Sequence, residues 1–430
     1  MKTDTPQPDA GPLLEFMFRL GQAYLACGEQ TALVELFLRR IATVNHMRKT
    51  RVVAFPTAIF ITLHDGNEER VTLAEAPMQT LRLDQIADVY TLGEAAIHGK
   101  VTPQQGLEQL SEILKKKARF GATGVVVGHT ILTIGLAAIL EPTLTNLVAG
   151  SVLGLVVGVL KVTNRDRPIL SAPLSVVAAA LVSMMVFLAL KNGLISSPQY
   201  VLIPPLITFL PGAMLTFGMV ELAFGDMVSG SSRLITGFVQ LVLLAFGLAA
   251  GAALVGYSPE SMLNATDNAP HVPWAPWAGV VIFGIGAYFH FSAPRDSFWW
   301  MLLVLLVTFG AQQIGSAIFN YKVSGFFGML VATPLGYLIQ QKFNGPPAMV
   351  TFLPSFWLLV PGSLGLLSVT QMLSNRAAGL EGLVSAVFAI VSIALGTLVG
   401  ASLYKWLTER LGAWQLQIGR ASAYLRRTKK

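Results

Sequence analysis

Three ionisable side chains within or beside long apolar runs are the first candidates for chemistry. Glu221 and Asp226 follow one apolar run, and His129 lies inside another, in the stretch GVVVGHTILTIG. A carboxylate or an imidazole in apolar surroundings can bind and release a proton, and its neutralisation changes the cost of keeping it there. These residues are therefore candidate proton-coupling groups. Plainer interpretations stay open, since the acids could face water at a helix end and the histidine could bond a neighbouring helix.

A second set of candidates lies in two related stretches, PPLITFLPG (204–212) and PSFWLLVPG (354–362). Both have Pro at positions one and eight and Gly at position nine, at an offset of 150 residues. Proline removes a helical hydrogen bond, so each stretch predicts a broken helix. The N-terminal end of a half-helix attracts anions, which makes such breaks candidate substrate sites. We expect substrate-binding residues there: Thr208, Pro211, Gly212, Thr216, Pro361, Gly362 and Gln371, the last at the same offset from Glu221. For the threonines, a bond to their own helix backbone is an equal alternative.

The composition defines the class of protein in which these residues lie. The chain has 430 residues, of which 53% are hydrophobic and only 12% charged, with mean hydropathy +0.61. Soluble chains carry about 25% charged residues, so the composition predicts an α-helical polytopic membrane protein. The net charge of +7 is attributed to cytoplasmic loops and not to nucleic-acid binding. With one cysteine, Cys27, no internal disulfide can form.

The chain divides into a soluble part and two membrane repeats. We predict about ten transmembrane helices as two inverted five-helix repeats, because an odd number of spans makes the units cross in opposite senses. The predicted spans are 122–140, 143–160, 172–190, 199–222, 233–256, 274–291, 297–314, 323–340, 349–373 and 383–406. The predicted domains are a disordered tail (1–12), a cytoplasmic α+β domain (13–119) with a hairpin turn at Asp65-Gly66, two transmembrane repeats (120–256 and 272–406) and a basic cytoplasmic tail (407–430).

The basic residues predict the orientation. Lys and Arg concentrate on one side of the ten predicted spans, which places both termini in the cytoplasm. Lys161 counts among these loop charges, and we interpret His290 and Arg233 as residues of the membrane–water interface. No nucleophile–base pair, phosphate loop or metal-spaced cluster is present in the sequence, so we expect no enzyme and no cofactor.

The stretch PLITFLPGAMLTFGMVELAFGDMVSGSSRL resembles the core motif of the threonine/serine exporter family. The residues in register are Pro211, Gly212, Thr216, Leu222, Gly225, Asp226, Ser229, Gly230 and Arg233. Glu221 stands where that family usually has Asp, and Val220 where it usually has Arg. The N-terminal part is similar to the family's opening pattern at Gly28, Thr31, Val34, Glu35, Pro56 and Thr57. The C-terminal part, about 272–430, resembles the family's second domain.

This resemblance implies a secondary exporter of small amino acids, driven by the ion gradient, in the cytoplasmic (inner) membrane. We expect it to export small carboxylate-bearing solutes, threonine and serine first, by proton antiport. Split relatives are associated with dicarboxylate export, so a succinate-like solute is an alternative, and a passive channel for such solutes is another. A membrane-anchored sensor is disfavoured by the extent of the apolar core. The expected partners are the small solute, protons and the lipid bilayer, with no nucleic acid; the oligomeric state stays open.

Overall fold

A computed structural model describes nine stretches of the chain: residues 10–47, 49–64, 69–75, 80–164, 171–195, 198–257, 273–359, 361–372 and 376–427. Most of the predicted tail 1–12 and the predicted turn at Asp65-Gly66 lie outside these residues. So do Arg165 and Arg167, two of the basic residues that contribute to the predicted orientation. Within them, the structure consists of one α+β region followed by a long series of apolar helices. This confirms the polytopic α-helical class that the composition predicts.

The N-terminal region packs four helices around a small antiparallel sheet. Its elements are α1 (Ala10–Ala26), α2 (Thr31–Val44), β1 (Arg51–Phe55), β2 (Ala58–His64), β3 (Glu69–Glu75), α3 (Leu83–Ile97) and α4 (Pro103–Lys115). The strands pair in the order β1-β2-β3. Leu20, Leu38 and Ile59 are fully buried, because the helical spacing of apolar residues in α1 and α2 and the alternation in β2 direct them to one core. The Cβ of any larger residue at Gly21 would lie 2.8 Å from Ile59, so α1 lies directly on the sheet.

The apolar helices follow from residue 121. They are α5 (Gly121–Leu140), α6 (Leu144–Thr163), α7 (Ser171–Lys191), α8 (Pro198–Leu202), α9 (Gly212–Ala223), α10 (Met227–Leu254), α11 (Ala275–His290), α12 (Phe298–Ile318), α13 (Ser324–Lys342), α14 (Ala348–Leu358), α15 (Pro361–Met372) and α16 (Arg376–Arg427). Within the described residues, seven helical segments are long and apolar enough to cross a membrane, and α9 and α11 are shorter apolar helices. Each of the ten predicted spans corresponds to one helix or to an interrupted set, but ten crossings remain a prediction.

The first helices of the two halves, α5 and α11, pack against each other through glycine. A Cβ on Gly135 would lie 2.3 Å from the backbone nitrogen of Phe283, and one on Gly286 would lie 2.2 Å from that of Leu132. Any larger residue would therefore collide with backbone. Gly135 and Gly286 are 151 residues apart, and so are Leu132 and Phe283, so exchanging the halves turns one contact into the other. The contacts run in opposite directions along the two helices, which is the antiparallel arrangement that an inverted repeat requires.

A second pair of equivalent contacts lies between α7 and α10 in the first half and between α13 and α16 in the second half. In the first half, Cβ atoms on Gly247 and Gly251 of α10 would meet carbonyl oxygens of α7; in the second half, those on Gly396 and Gly400 of α16 would meet carbonyl oxygens of α13. Gly396 and Gly400 follow Gly247 and Gly251 by 149 residues. The carbonyls that they meet, those of Phe326 and Leu330, follow those of Val176 and Ala180 by 150 residues. Small residues let membrane helices approach closely, and here they do so at matching places in both halves.

Candidate functional site

The stretch PPLITFLPG is broken in the structure. Residues Pro204–Phe209 form a 3₁₀ helix, Leu210 is extended (φ −71°, ψ 130°), and α9 begins at Gly212 after Pro211. Three prolines lack the N–H groups that a continuous α-helix would need here. The carbonyl of Pro211 accepts the first helical hydrogen bond from the backbone nitrogen of Leu215, at 2.9 Å. The break thus separates two half-helices inside apolar surroundings.

The stretch PSFWLLVPG has a different local structure, and Val360 within it lies outside the described residues. Helix α14 continues through Pro354 to Leu358, and α15 starts at Pro361, with Gly362 in its first turn. The two interrupted segments contact each other, because the Phe217 ring of α9 lies edge-on to the Phe356 ring of α14 with centroids 5.0 Å apart. Helices that belong to the two Pro–Gly segments, one from each half of the chain, therefore meet.

A cationic side chain lies against the first break. Lys161, near the end of α6 and half-buried, donates a hydrogen bond from Nζ to the hydroxyl of Thr208, at 2.7 Å. The same Nζ lies 5.0 Å from the centre of the Phe209 ring and 3.4 Å from Nε2 of His290. Lys161 therefore contacts the 3₁₀ segment and the last residue of α11 together.

Two histidines complete this group, which we call the basic cluster: Lys161, His129 and His290. Nδ1 of His290 faces the carbonyl of Val125 at 2.9 Å, so Nδ1 carries the proton and Nε2 presents its lone pair to Lys161. Nε2 of His129 faces the carbonyl of Pro205 at 3.0 Å and donates for the same reason. That leaves Nδ1 of the fully buried His129 without a hydrogen-bond partner among the described residues. The two imidazole centroids are 5.0 Å apart.

Thr216 lies in α9 and Gln371 lies in α15, the helices that begin at the two Pro–Gly pairs. The hydroxyl of the buried Thr216 donates to the carbonyl of Gly212 at 2.9 Å, within its own helix. Gln371 lies near the end of α15, where its Oε1 would be 3.1 Å from a Cβ on Gly382 of α16. Of the two predicted threonines, Thr208 is therefore the one whose side chain has a described hydrogen bond to another element.

Glu221 lies at a junction between α9, α10 and the N-terminal region. Its Oε2 lies 3.0 Å from Nε of Arg233, both side chains being buried, and the pair interacts by charge because those two atoms lack hydrogen-bond geometry. Its Oε1 accepts from the backbone nitrogen and the hydroxyl of Thr31 at 3.1 and 3.2 Å. Arg233 in turn donates to the carbonyl of Glu29 at 2.7 Å. The family-like motifs of the two regions are thus in direct contact.

Asp226 occupies the turn that joins α9 to α10. It is half-buried and directly precedes α10, and its carbonyl accepts from the backbone nitrogen of Gly230 at 2.9 Å. The turn depends on Gly225, whose φ of +90° favours glycine. Asp226 therefore lies beside the junction of Glu221 and Arg233, at the end of α9 opposite to the break.

The carboxyl group of Glu29 is buried on the N-terminal side of this junction. It accepts hydrogen bonds from the Tyr90 hydroxyl and from the backbone nitrogen of Gln30. Burial raises the pKa of Glu29 above its usual range, although these bonds and the charge of Arg233 act in the opposite direction. Burial also raises the pKa of Tyr90, assisted by the nearby Glu29. Relative to the unfolded chain, the folded domain therefore shifts the equilibrium of Glu29 toward the protonated form.

The N-terminal region also contacts the residue that follows His290 of the basic cluster. The backbone nitrogen of Leu83, the first residue of α3, donates to the carbonyl of Phe291 at 3.0 Å. Phe291 directly follows His290, and its ring stacks on Trp357 with centroids 4.1 Å apart. The basic cluster is therefore one residue away from a contact with the N-terminal region.

Sequence reasoning missed Lys161 and His290 as members of a site. Lys161 is counted there as a loop charge because it follows a complete apolar run, and His290 as interfacial because it ends one. The available signal was their position at the C-terminal end of an apolar run, with the polar residues Thr163 and Ser292 two positions further on. That position does not identify a partner. Arg233, interpreted as interfacial, is buried and pairs with Glu221, a partner that the sequence did not identify.

These features define a multi-pass α-helical membrane protein with interrupted helices and a docked α+β region. A family profile described as "Putative threonine/serine exporter" (ThrE) matches residues 15–255, which is more than half of the chain. The chain belongs to this family, and the resemblance of its motifs is confirmed. The family is one of membrane exporters and not of enzymes.

The chain is also similar to fungal membrane proteins. It is 22% identical over 375 residues to "Pheromone-regulated membrane protein 10" of Candida albicans (strain WO-1), covering 84% of this chain and 33% of that protein. It is 24% identical over 408 residues to the protein of that name in Eremothecium gossypii, covering 89% of this chain and 53% of the relative. The chain thus spans between a third and about half of the length of these relatives. No solved structure gives a significant match.

Proposed function

We propose that this protein is a secondary active exporter of small carboxylate-bearing solutes, threonine and serine first, in exchange for protons. The observation that carries the proposal is the contact between two interrupted helices, one from each half of an inverted repeat, at Phe217 and Phe356. Secondary transporters with inverted repeats bind their solutes where such interrupted helices meet. Membership of an exporter family supports the direction of transport.

The proposed binding residues surround the two breaks, namely Thr208, Pro211, Gly212, Thr216, Pro361, Gly362 and Gln371. Thr208 has the strongest support, because its hydroxyl already contacts a cation from another helix. A succinate-like dicarboxylate is the alternative solute, since it also carries the group that a cation would recognise. The proposed location is the cytoplasmic membrane, with both termini in the cytoplasm.

Glu221, Asp226 and His129 remain the proposed proton-coupling groups. Protonation of Glu221 would remove its charge attraction to Arg233 and weaken its contact with Thr31. A proton on this residue would therefore be linked to the docking of the N-terminal region. His129 offers a free lone pair within the described residues, and Asp226 lies in the turn next to Glu221.

Proteoliposomes loaded with threonine test the proposal. With an imposed proton gradient, the protein should move threonine against its concentration gradient, and a protonophore should abolish this movement. Threonine that moves only down its own gradient, with no effect of the protonophore, would indicate a passive channel instead. Gly212→Leu, which places a bulky side chain in the first turn of α9, should insert into the membrane but not transport.

A further inference from the structure

The basic cluster has a cation without an acidic partner. Among the described residues, no carboxylate lies within ion-pair distance of Lys161, whose contacts are Thr208, His290 and the Phe209 ring. An ionised group within a membrane domain is costly unless something compensates it. Part of the compensation comes from the C-terminal ends of α6 and α11, which carry partial negative charge and lie beside Lys161 and His290. Within the described residues, no side chain of opposite charge supplies the rest.

The donors of Lys161 show what kind of group would complete the site. An ammonium has three donors; Thr208 accepts one, and Nε2 of His290, at 3.4 Å, accepts at most one more. At least one donor is thus left without an acceptor in the part of the chain that the structure describes. An anionic oxygen would supply both the acceptor and the opposite charge.

An interfacial anchor is the competing explanation for Lys161. A lysine at a helix end commonly extends its ammonium group into water. Here Nζ instead lies between the hydroxyl of Thr208 and the imidazole of His290, against the interrupted segment. This placement favours a binding role, because the contacts are made with the element whose helix is broken.

His129 limits the chemical class of the ligand. Its Nδ1 is a buried acceptor without a partner among the described residues, next to the His290 ring. A neutral imidazole acceptor suits an N–H or O–H donor and repels a second carboxylate. A ligand with one carboxylate and a neighbouring ammonium or hydroxyl group therefore matches the cluster better than a dicarboxylate.

From these contacts we infer that the basic cluster binds the transported solute, with Lys161 as the counter-ion of its carboxylate and Thr208 as a second contact. This inference rests on the proposed function. It adds Lys161 and His290 to the binding residues, and it selects a hydroxy amino acid over a dicarboxylate.

Competition binding to the purified full-length protein tests this inference. Bound radiolabelled L-threonine is challenged with three competitors. These are unlabelled L-threonine, the corresponding amino alcohol, which lacks the carboxylate, and succinate. Wild-type protein should bind threonine in preference to both competitors. Lys161→Met should lower threonine affinity about 10- to 100-fold, the effect of losing a charge-assisted hydrogen bond, and should abolish the preference for threonine over the amino alcohol. Lys161→Arg should retain that preference.

The matched control is Lys191→Met, which removes an exposed lysine at the last position of α7 and should leave both affinities unchanged. If the wild-type protein binds threonine and the Lys161→Met variant still prefers threonine to the amino alcohol, the proposed site is overturned. The proposed function is then left intact. Succinate competing as strongly as threonine would overturn the choice of an amino acid. Wild-type protein that binds none of these solutes would overturn the proposed function itself, and the inference with it.

Discussion

Glu221 and Arg233 form a buried ion pair, with Oε2 and Nε 3.0 Å apart, across the turn between α9 and α10. The same two side chains hold the N-terminal region: Glu221 accepts from Thr31 at the start of α2, and Arg233 donates to the carbonyl of Glu29. A carboxylate is favourable at a helix N-terminus, so Glu221 serves α2 as an acceptor supplied by another part of the chain. The ion pair therefore links the membrane helices to the α+β region.

Removing either partner of this pair should destabilise the protein strongly. Glu221→Gln or Arg233→Met leaves one charge buried without its partner, a change that costs about 3–5 kcal/mol. Thermal unfolding in detergent should therefore show a lower midpoint for either variant. Limited proteolysis should also cleave the N-terminal region faster than in wild type, because its docking is weakened.

The double variant provides the control. Since the pair interacts, Glu221→Gln combined with Arg233→Met should lower the unfolding midpoint by less than the two separate losses predict. Strictly additive losses would show that the two side chains act independently and would contradict the ion pair.

The pH dependence of stability should reflect Glu29. Its pKa is raised above the usual carboxyl range by burial, so the folded protein binds a proton more tightly than the unfolded chain. The contribution of this group to the free energy of unfolding is therefore largest below the usual range and falls as the pH rises through the raised pKa. Glu29→Gln should reduce that fall, as measured by unfolding midpoints over the acidic to neutral range.

Glu15→Gln is the matched control for this prediction, because Glu15 lies on the exposed face of α1. It should leave the slope of stability against pH unchanged. An undiminished slope in Glu29→Gln would contradict the assignment of the slope to Glu29.

Sequence and structure agree best where a local rule decides the outcome. In both Pro–Gly stretches a new helix begins at the Pro–Gly pair: α9 begins at Gly212 and α15 at Pro361, because proline fits the start of a helix and disfavours its interior. The offset of 150 residues likewise predicted equivalent elements, and the packing glycines of the two halves correspond at 149 to 151 residues.

The basic cluster and the junction could not be predicted in the same way. Thr31 and Glu221 are 190 residues apart and Lys161 and His290 are 129 apart, and no local pattern specifies such contacts. Counting basic residues treats a lysine at a helix end as a loop charge, which is why Lys161 was overlooked. The local structure of the two breaks also differs, since Pro204–Phe209 is a 3₁₀ helix whereas Pro354 lies within an α-helix.

Alanine substitutions in the α5–α11 contact should be equally damaging in both halves. The added Cβ at Gly135 or Gly286 would approach backbone atoms to 2.3 and 2.2 Å, so the helices must move apart at a cost of about 1–3 kcal/mol or more. Both variants should lower the unfolding midpoint by similar amounts.

Gly150→Ala in α6 is the control for this pair, since its nearest contact would be an ordinary 3.5 Å to the Cβ of Ala137. It should not lower the unfolding midpoint. A lowered unfolding midpoint in only one of the two variants, Gly135→Ala or Gly286→Ala, would contradict the equivalence of the two contacts.

The inverted repeat predicts that equivalent helix starts face opposite sides of the membrane. Met227 begins α10 and Ala377 lies at the start of α16, both are exposed, and they are 150 residues apart. In a Cys27→Ser background, Met227→Cys and Ala377→Cys should therefore react with an impermeant thiol reagent from opposite sides. Reaction of both cysteines from the same side would contradict the inverted topology.

Solute counterflow tests the central claim most directly. Proteoliposomes preloaded with unlabelled threonine, serine or succinate are diluted into labelled threonine, and the transient accumulation of label is measured. The proposed exporter should accumulate label when loaded with threonine or serine, and to a smaller extent or not at all when loaded with succinate. Absence of accumulation with every preload, from protein that is folded and inserted, would contradict transport of these solutes.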